Sequence, residues 1–475
     1  MTRAVFLIAS AAAALSAPVA HAQDFDAVAA VDAQYEQTER VARQLWDWAE
    51  VGYQETQSSQ LLQSELAAEG FTIERGVAEI PTAFIAEYGS DGPVIAILGE
   101  FDALPGISQS DSPVRAAIEG KHAAHACGHN LFAAGSLAAA IAVRQWLEKT
   151  GTPGRVRFYG TPAEEGGSGK VYMTRADLFD DVDVTLHWHA DDENSAAAQT
   201  SLANRSAKFR FHGKSAHAAA APEQGRSALD GVEAMNLMVN MMREHTTIDS
   251  RIHYVITEGG TAPNVIPDFA EVFYYVRHSD TAEVEAMWQR LEAAAQGAAM
   301  GTGTEVEWEI IHGNNPLLVN ESLAKMMDAK LRRVGGVEYT AEERAWAEEL
   351  AKSLGDAAEP LAGANEIKPY AKSLGYGSTD VGDVSWATPT VGVRTATWVP
   401  GTSSHSWQSA AASGTTIGYK GAQVAAKAMA LAAIELYTND GLREQARAEF
   451  DAARGEGYEY RSLLGDRDPP LDYRK

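Results

Sequence analysis

Short apolar runs recur along the chain, and each leads directly into polar, ionisable residues. Residues 94–98 are continuously apolar, and the predicted strands at 155–159, 182–186 and 390–398 are apolar with a few polar positions. Continuous apolar runs of this length are typical of strands buried in a parallel sheet. Helical periodicity covers 31–69 (interrupted near 51–53), 131–149 and 415–439, and Asn130 is placed to cap the second helix. The pattern predicts an α/β domain with a central, mostly parallel sheet flanked by helices.

Between residues 201 and 313 the pattern changes to a β-α-β-β-α-β order. We predict strands at 207–211, 252–257, 269–277 and 305–311, and helices at 227–245 and 281–300. This order is that of a ferredoxin-like α+β unit. It therefore predicts a domain at 201–313 inserted into a first domain formed by 23–200 and 314–475. The tail after Gly455 is rich in tyrosine, arginine and proline, and we expect it to be loosely held.

The first residues match a secretory signal peptide. Arg3 precedes an apolar run at 4–15, and Ala20-His21-Ala22 fits a small-x-small cleavage site. We therefore expect residues 1–22 to be removed and the mature chain to be periplasmic or secreted in a bacterium. No later run of eighteen or more apolar residues predicts a membrane span.

Charge and cysteine usage narrow the possible functions. The chain carries 65 acidic and 39 basic residues, a net charge of −26, which argues against nucleic acid or an anionic membrane as partner. Its single cysteine, Cys127, excludes a disulfide framework. A free thiol is a liability in an oxidising compartment, and metal coordination would protect it.

Side chains that can bind metal ions follow the ends of the predicted strands, and the Cys127-x-His129 pair adds a thiol and an imidazole. Because open α/β sheets bind ligands beyond the carboxyl ends of their strands, these side chains are expected to converge. A free carboxylate beside a metal-bound water is the usual general base of metal-assisted hydrolysis. The alternatives are a small buried cysteine, a solvated acidic turn and unremarkable histidines. Besides Cys127 and His129, the candidates are Asp102, Glu164, Glu165, His187, His189 and His405.

Six motifs together resemble the zinc carboxypeptidase and aminoacylase family of metallopeptidases. The most similar branch contains aminobenzoyl-glutamate hydrolase and the hydrolases of indoleacetyl-amino acids. The resemblance covers nearly the whole mature chain in the family's order. The motifs are HACGHN, TPAEEGG, LHWH, SAHAAAAPEQGRSALD, TAPNVIPD and HSWQ.

The resemblance implies a centre of two divalent metal ions, with Zn²⁺ expected first and Mn²⁺ or Co²⁺ as alternatives. Cys127 would bridge the two ions and Glu164 would be the general base. Asp102 would orient a ligand histidine or cap its turn. Spacing leaves the choice between His187 and His189 open, and His187 is the position we predict. The other expected ligands are His129, Glu165 and His405.

In this family the inserted domain is a lid and a dimerisation module. His217 would match the lid histidine that reaches the partner subunit's site and stabilises the oxyanion. Asn264 and Arg277 match positions associated with the carboxylate of the substrate. The chain departs from the wider family at Glu100, where a metal-binding histidine is common, and at Ala190, where the branch often has proline.

The sequence thus predicts a metal-dependent amidohydrolase that cleaves N-acyl or N-aroyl amino acids and forms a homodimer. The alternatives are a dipeptidase or carboxypeptidase with the same metals, and a non-catalytic binding protein for amino-acid conjugates. A single structural zinc fits less well, because such sites gather ligands at tight spacing whereas these are scattered along the chain.

Overall fold

The structure, a computed structural model, describes residues 25–474, so the expected signal peptide lies outside the described residues. Within this range the strands are, in chain order, β1 (Thr72–Arg75), β2 (Phe84–Gly89), β3 (Val94–Glu100), β4 (Leu104–Pro105), β5 (Ala123–Ala124), β6 (Arg155–Thr161), β7 (Val184–Asp191), β8 (Ser195–Ala197), β9 (Gln199–Thr200), β10 (Ala203–His212), β11 (Arg251–Glu258), β12 (Phe269–His278), β13 (Glu305–Asn314), β14 (Ser373–Leu374) and β15 (Thr390–Ala396).

The helices of the same range are α1 (Ala27–Asp32), α2 (Tyr35–Trp48), α3 (Thr56–Ala68), α4 (His129–Thr150), α5 (Glu164–Gly167), α6 (Gly169–Arg175), α7 (Ala228–Met242), α8 (Thr281–Thr302), α9 (Glu321–Val334), α10 (Ala341–Ala351), α11 (Val381–Ala387), α12 (Trp407–Ala412), α13 (Thr416–Thr438) and α14 (Asp440–Arg454). Over these residues no helix is both long and apolar enough to cross a membrane.

The first sheet has the strand order β1-β2-β6-β3-β7-β15-β8. Its four central strands, β6, β3, β7 and β15, run parallel, whereas β1, β2 and β8 pair antiparallel at the edges. All seven residues of β3 are buried, as its apolar run predicts. Helices α4 and α13 pack against each other and against the sheet. The α/β class and the parallel centre are confirmed, while the three edge strands were missed.

Helix α4 begins one residue earlier than its expected cap. Gly128 occupies the position before the helix with a φ of 76°, a left-handed conformation that suits glycine. Asn130 is therefore inside the first turn, and its amide donates to the carbonyls of Ala42 and Ser413 instead. The expected cap at Asn130 was wrong, but the early start brings His129 onto the helix.

The second sheet is fully antiparallel, with the order β11-β12-β10-β13. Counted along the chain, the strands of this sheet are arranged in the order second, third, first, fourth, as in a ferredoxin-like fold. Helices α7 and α8 pack on the sheet. The sheet and these helices bury a core of their own around Phe209 and Trp288. We call residues 201–313 the lid; these bounds stay a prediction. Strand β11 lies at one edge of the lid sheet.

Candidate metal centre

The candidate residues lie near the carboxyl ends of the parallel strands, with His187 and His189 inside β7. Strand β3 ends at Glu100 and leads to Asp102, and β6 leads to the Glu164-Glu165 turn. Cys127 precedes α4, and His405 lies in the turn after β15. Because neighbouring parallel strands end at the same edge of the sheet, these segments meet in one place.

Three groups of three side chains are close enough to hold a metal ion; two of them share Cys127, and the third contains His129, Glu164 and Glu165. Of the two that share Cys127, one contains Cys127, His129 and His189, and the other Cys127, Glu165 and His405; within each group the ligand atoms lie within 4.8 Å of one another. The Cys127 Sγ atom lies 3.5 Å from His189 Nε2, and His405 Nε2 lies 3.1 Å from Glu165 Oε1. A bridging thiolate with two ligand pairs is the arrangement expected from the resemblance.

The structure brings His189 into the cluster, whereas His187, the position predicted from the sequence, belongs to none of the groups. Both histidines face the same side of β7, because side chains alternate along a strand, but His189 is two residues nearer the carboxyl end. His187 is buried beneath it, with its ring against Gly392 of β15. Burial lowers the pKa of His187 to about 3, so its imidazole is neutral at physiological pH.

Asp102 fixes the orientation of the cluster. Its Oδ1 lies 2.9 Å from His129 Nδ1, and its Oδ2 accepts a hydrogen bond of 2.9 Å from the backbone N–H of Glu165. The carboxylate therefore holds Nδ1 of His129 as the donor and directs Nε2 into the cluster. This is the outer-shell role that carboxylates have beside metal-binding histidines.

The electrostatics of the cluster favour a bound cation. Burial raises the pKa of the Glu164 carboxyl well above its usual value, and the neighbouring carboxylates of Glu165 and Glu100 raise it further. Burial would raise the pKa of the Cys127 thiol, but the facing imidazoles of His189 and His129 lower it well below its usual range. Hydrogen bonding to Cys127 and Glu165 raises the pKa of His405 to about 10.

Nε2 of His129 and Oε1 of Glu165 are buried, and among residues 25–474 neither makes a hydrogen bond of good geometry. Their contacts are ion pairs of 3.1 Å, with Glu100 Oε2 and His405 Nε2 respectively. Buried polar atoms without a well-formed hydrogen bond are costly, and coordination of a metal would satisfy both. The donor set of thiolate, imidazole and carboxylate also suits a borderline metal such as zinc. The residues present therefore fit divalent metal binding.

A buried ion cluster beside His129 was not found from the sequence. The ammonium of Lys170 is fully buried, 2.8 Å from Glu100 Oε1 and 2.6 Å from Asp380 Oδ1. Glu100 Oε2 in turn lies 3.1 Å from His129 Nε2. A lysine at the start of the apolar segment Val171-Tyr172-Met173 was the only signal in the sequence, and nothing local pointed to Asp380.

Two of the predicted functional residues of the lid are more exposed than most of the candidate metal ligands. His217 is exposed, and its Nδ1 accepts hydrogen bonds from the backbone N–H groups of Ala219 and Ala220. Asn264 is also exposed, and its backbone carbonyl accepts a hydrogen bond from the backbone N–H of Ala218. Arg277 is half-buried over the ring of Tyr275, at 5.3 Å. Among residues 25–474, no carboxylate pairs with Arg277, and its Nε makes no hydrogen bond.

The chain is similar to known proteins over most of its length. Residues 96–431 match the model of peptidase family M20/M25/M40. A subunit of the p-aminobenzoyl-glutamate hydrolase of Escherichia coli is 39% identical, over 88% of this chain and 93% of the relative. The Xaa-Arg dipeptidase of Mus musculus is 29% identical, over 88% of this chain and 90% of the relative.

A solved structure shares the fold: the YXEP protein of Bacillus subtilis, a dinuclear metal-binding peptidase from the M20 family. The TM-score is 0.60 at 19% identity, covering 86% of this chain and 99% of that one. The predicted resemblance and the predicted class of enzyme, a metal-dependent amidohydrolase, are thereby confirmed. The protein belongs to peptidase family M20/M25/M40.

Proposed function

We propose that this protein hydrolyses the amide bond of N-acyl or N-aroyl amino acids at a centre of two divalent metal ions, Zn²⁺ first and Mn²⁺ or Co²⁺ as alternatives. The observation that carries the proposal is the pair of ligand groups that share Cys127. His129 and His189 serve one ion, and Glu165 and His405 the other. Bound metals supply a water of lowered pKa and polarise the carbonyl of the substrate.

Glu164 is the proton carrier of this proposal. Its carboxylate lies within 4.8 Å of metal-competent atoms of His129 and Glu165. Burial and the neighbouring carboxylates raise the pKa of Glu164, which favours its uptake of a proton from the attacking water. Bound cations would lower this pKa and so keep the carboxylate ionised before that step. Glu164 then donates this proton to the nitrogen of the departing amine.

The lid recognises the carboxylate of the substrate in this proposal. Arg277 supports it, because a half-buried guanidinium without a carboxylate partner is prepared for a bidentate anion. The name of the Escherichia coli relative favours an aroyl-glutamate as the first substrate to test. The name of the mouse relative supports a dipeptidase as the second candidate. A binding protein without activity would not need Glu164 in the cluster.

A homodimer through the lid is part of the proposal. The outer face of the lid exposes Leu237 and Met241 on α7, and Val255 is 56% exposed on the edge strand β11. Exposed apolar side chains beside an open strand edge are typical of a protein interface. The Escherichia coli relative is named as one of two kinds of subunit, which makes a different chain the alternative partner. We further propose that the mature chain acts in the periplasm or outside the cell.

The first experiment measures metal content together with amine release from aroyl-glutamates, other N-acyl amino acids and plain dipeptides. We expect close to two metals per chain and chelator-sensitive release from the conjugates. One tightly held metal and no turnover of any amide would contradict the proposal.

A matched pair of variants tests the ligand assignment. His189→Ala should lose about one metal per chain, because it removes a ligand from one group only. His187→Ala should keep both metals, although its buried site costs some thermal stability. Equal metal loss in both variants would contradict the assignment of His189.

A further inference from the structure

The tail after α14 is held against both parts of the molecule, contrary to the expectation that it is loose. Leu463 is buried in the core of the lid, and the next residue, Leu464, is buried in the core of the first domain. Arg467 donates to the carbonyls of Ile310 and Ile311 in β13. From the first domain, Arg175 donates to the carbonyls of Gly465 and Arg467, so the tail joins the lid to α6.

The last residues of this tail reach the Glu164-Glu165 turn. The Tyr473 hydroxyl donates to the backbone carbonyl of Glu165 at 3.0 Å, and Arg474 Nη2 donates to the same oxygen at 2.9 Å. The Tyr473 ring packs edge-on against Tyr53, with ring centroids 5.6 Å apart. Tyr53 in turn donates to the carbonyl of Gly167 at 2.6 Å.

Glycines leave room for the Tyr473 hydroxyl. A Cβ at Gly52 would overlap this oxygen, and a Cβ at Gly167 would lie 3.0 Å from it. Gly52 interrupts the first helical segment of the chain, and Gly167 belongs to the glycine-rich turn after Glu165. Both glycines therefore leave space for the side chain of Tyr473, which lies 421 residues after Gly52 and 306 residues after Gly167.

The turn that receives the tail is strained. Ala163 and Ser168 have φ values of 56° and 62°, in the left-handed region that non-glycine residues disfavour. Such conformations persist where the surrounding structure fixes them. Two buried carboxylates hold the amide side of the turn: Glu55 Oε1 accepts from the N–H of Ala163, and Asp102 Oδ2 accepts from the N–H of Glu165, each at 2.9 Å.

We infer that Tyr473 and Arg474 are positioning residues for the catalytic turn, supplying the anchor of its carbonyl side. Within residues 25–474 the structure gives the Glu165 carbonyl no side-chain donors other than these two. Without them the turn can rotate about Glu165 towards a less strained conformation. The Glu164 carboxylate would then move away from the position in which it accepts the proton of the attacking water. The inference rests on the proposed function, because it concerns the efficiency of the same base.

The test compares Tyr473→Phe, Arg474→Ala, Arg474→Lys and a chain that ends at Asp472. Tyr458→Phe is the control, because Tyr458 is a tail tyrosine stacked on Trp386. Loss of one net hydrogen bond predicts a fall in kcat of about threefold to tenfold for Tyr473→Phe, with KM nearly unchanged. The shortened chain should lose about 30-fold to 100-fold in kcat while it keeps its metals. Arg474→Lys should recover part of the loss of Arg474→Ala.

Hydrogen exchange of the metal-free proteins gives a second measurement that does not need activity. The peptide covering residues 161–170 should exchange faster in the shortened chain than in the full chain, with α7 unchanged as the internal reference. If the wild type releases no amine from any amide, the proposed function fails, and the exchange data alone decide the role of the tail. Wild-type kcat and unchanged exchange in the shortened chain would overturn the inference. A rise in KM alone would also overturn it.

Discussion

The metal centre and the lid present their predicted functional side chains in opposite ways. In the metal centre the grouped ligands are buried or half-buried except His405, which is exposed. His129 is completely buried, and Asp102 fixes its Nδ1. In the lid, His217 and Asn264 are exposed, and His217 accepts only local backbone hydrogen bonds through Nδ1. One chain therefore assembles the candidate metal ligands, whereas His217 and Asn264 of the lid are exposed and, in the proposed function, are available to another molecule.

The largest effect is expected in the metal centre. Glu164→Gln keeps the shape and burial of the side chain but removes the proton acceptor, so kcat should fall about 10⁴-fold. Metal content should stay at the wild-type value, because the ligand groups that share Cys127 do not include Glu164. Steady-state kinetics and elemental analysis of the same sample measure both quantities.

The matched control for this variant is Glu223→Gln, an exposed glutamate of the lid that should behave as the wild type. Turnover near the wild-type rate in Glu164→Gln would remove Glu164 from the mechanism and leave the metal centre without its base.

The second effect tests whether the lid of one chain serves the site of another. His217→Ala should lower kcat about 10²-fold to 10³-fold, the usual cost of one oxyanion donor. His245→Ala, at another exposed histidine of the lid, is the control. Mixing His217→Ala with Glu164→Gln should restore activity, because a mixed dimer contains one site with both groups intact. Random exchange of subunits predicts about a quarter of the wild-type rate.

This complementation assay distinguishes the two arrangements directly. If His217 acts within its own chain, no combination of the two variants contains a complete site, and the mixture stays inactive.

The same contrast explains what could be read from the sequence. Strand β3 was predictable because burial on both faces gives a continuous apolar run, and β6, β7 and β15 because their short, mainly apolar segments lead into metal-competent residues. The choice between His187 and His189 could not be predicted, because both side chains face the same side of β7. They differ only in their distance from the carboxyl end of the strand. Lys170 and Asp380 are 210 residues apart, and only the folded chain brings them together. The tail was misread because Arg467, Tyr473 and Arg474 bind backbone carbonyls, which no residue type in the sequence reveals. Within residues 456–474, the only buried apolar residues are the adjacent Leu463 and Leu464, too few to form a pattern.

The third effect concerns recognition rather than chemistry. Arg277→Ala should raise KM for an acyl amino acid about tenfold to 100-fold, since hydrogen bonds to a charged group contribute about 1.5–3 kcal/mol. Its kcat should change little if the contact is the same in the ground and transition states. Arg277→Lys should recover only part of the loss, because an ammonium cannot form the bidentate pair.

Arg290→Ala, at an exposed arginine of the lid, is the control for Arg277. A substrate amide without a carboxylate gives a second comparison: its KM should be equal for the wild type and Arg277→Ala. An equal rise in KM for both substrates would show that Arg277 supports the fold of the lid instead.

The smallest effect is expected at the surface that would bring two lids together. Val255→Lys places a charge on the open edge of β11, where it opposes pairing with a second edge strand. Val114→Lys is the control, because Val114 is 50% exposed in the first domain, close to the 56% of Val255. The Val255 variant should form monomers at low protein concentration and lose about tenfold in specific activity there, with recovery as the concentration rises. Light scattering and activity measured over one dilution series check both. A monomer that keeps full activity at every dilution would mean that the lid serves the metal centre of its own chain. The exposure of His217 and Asn264 would then reflect an open conformation of one chain rather than a site shared by two.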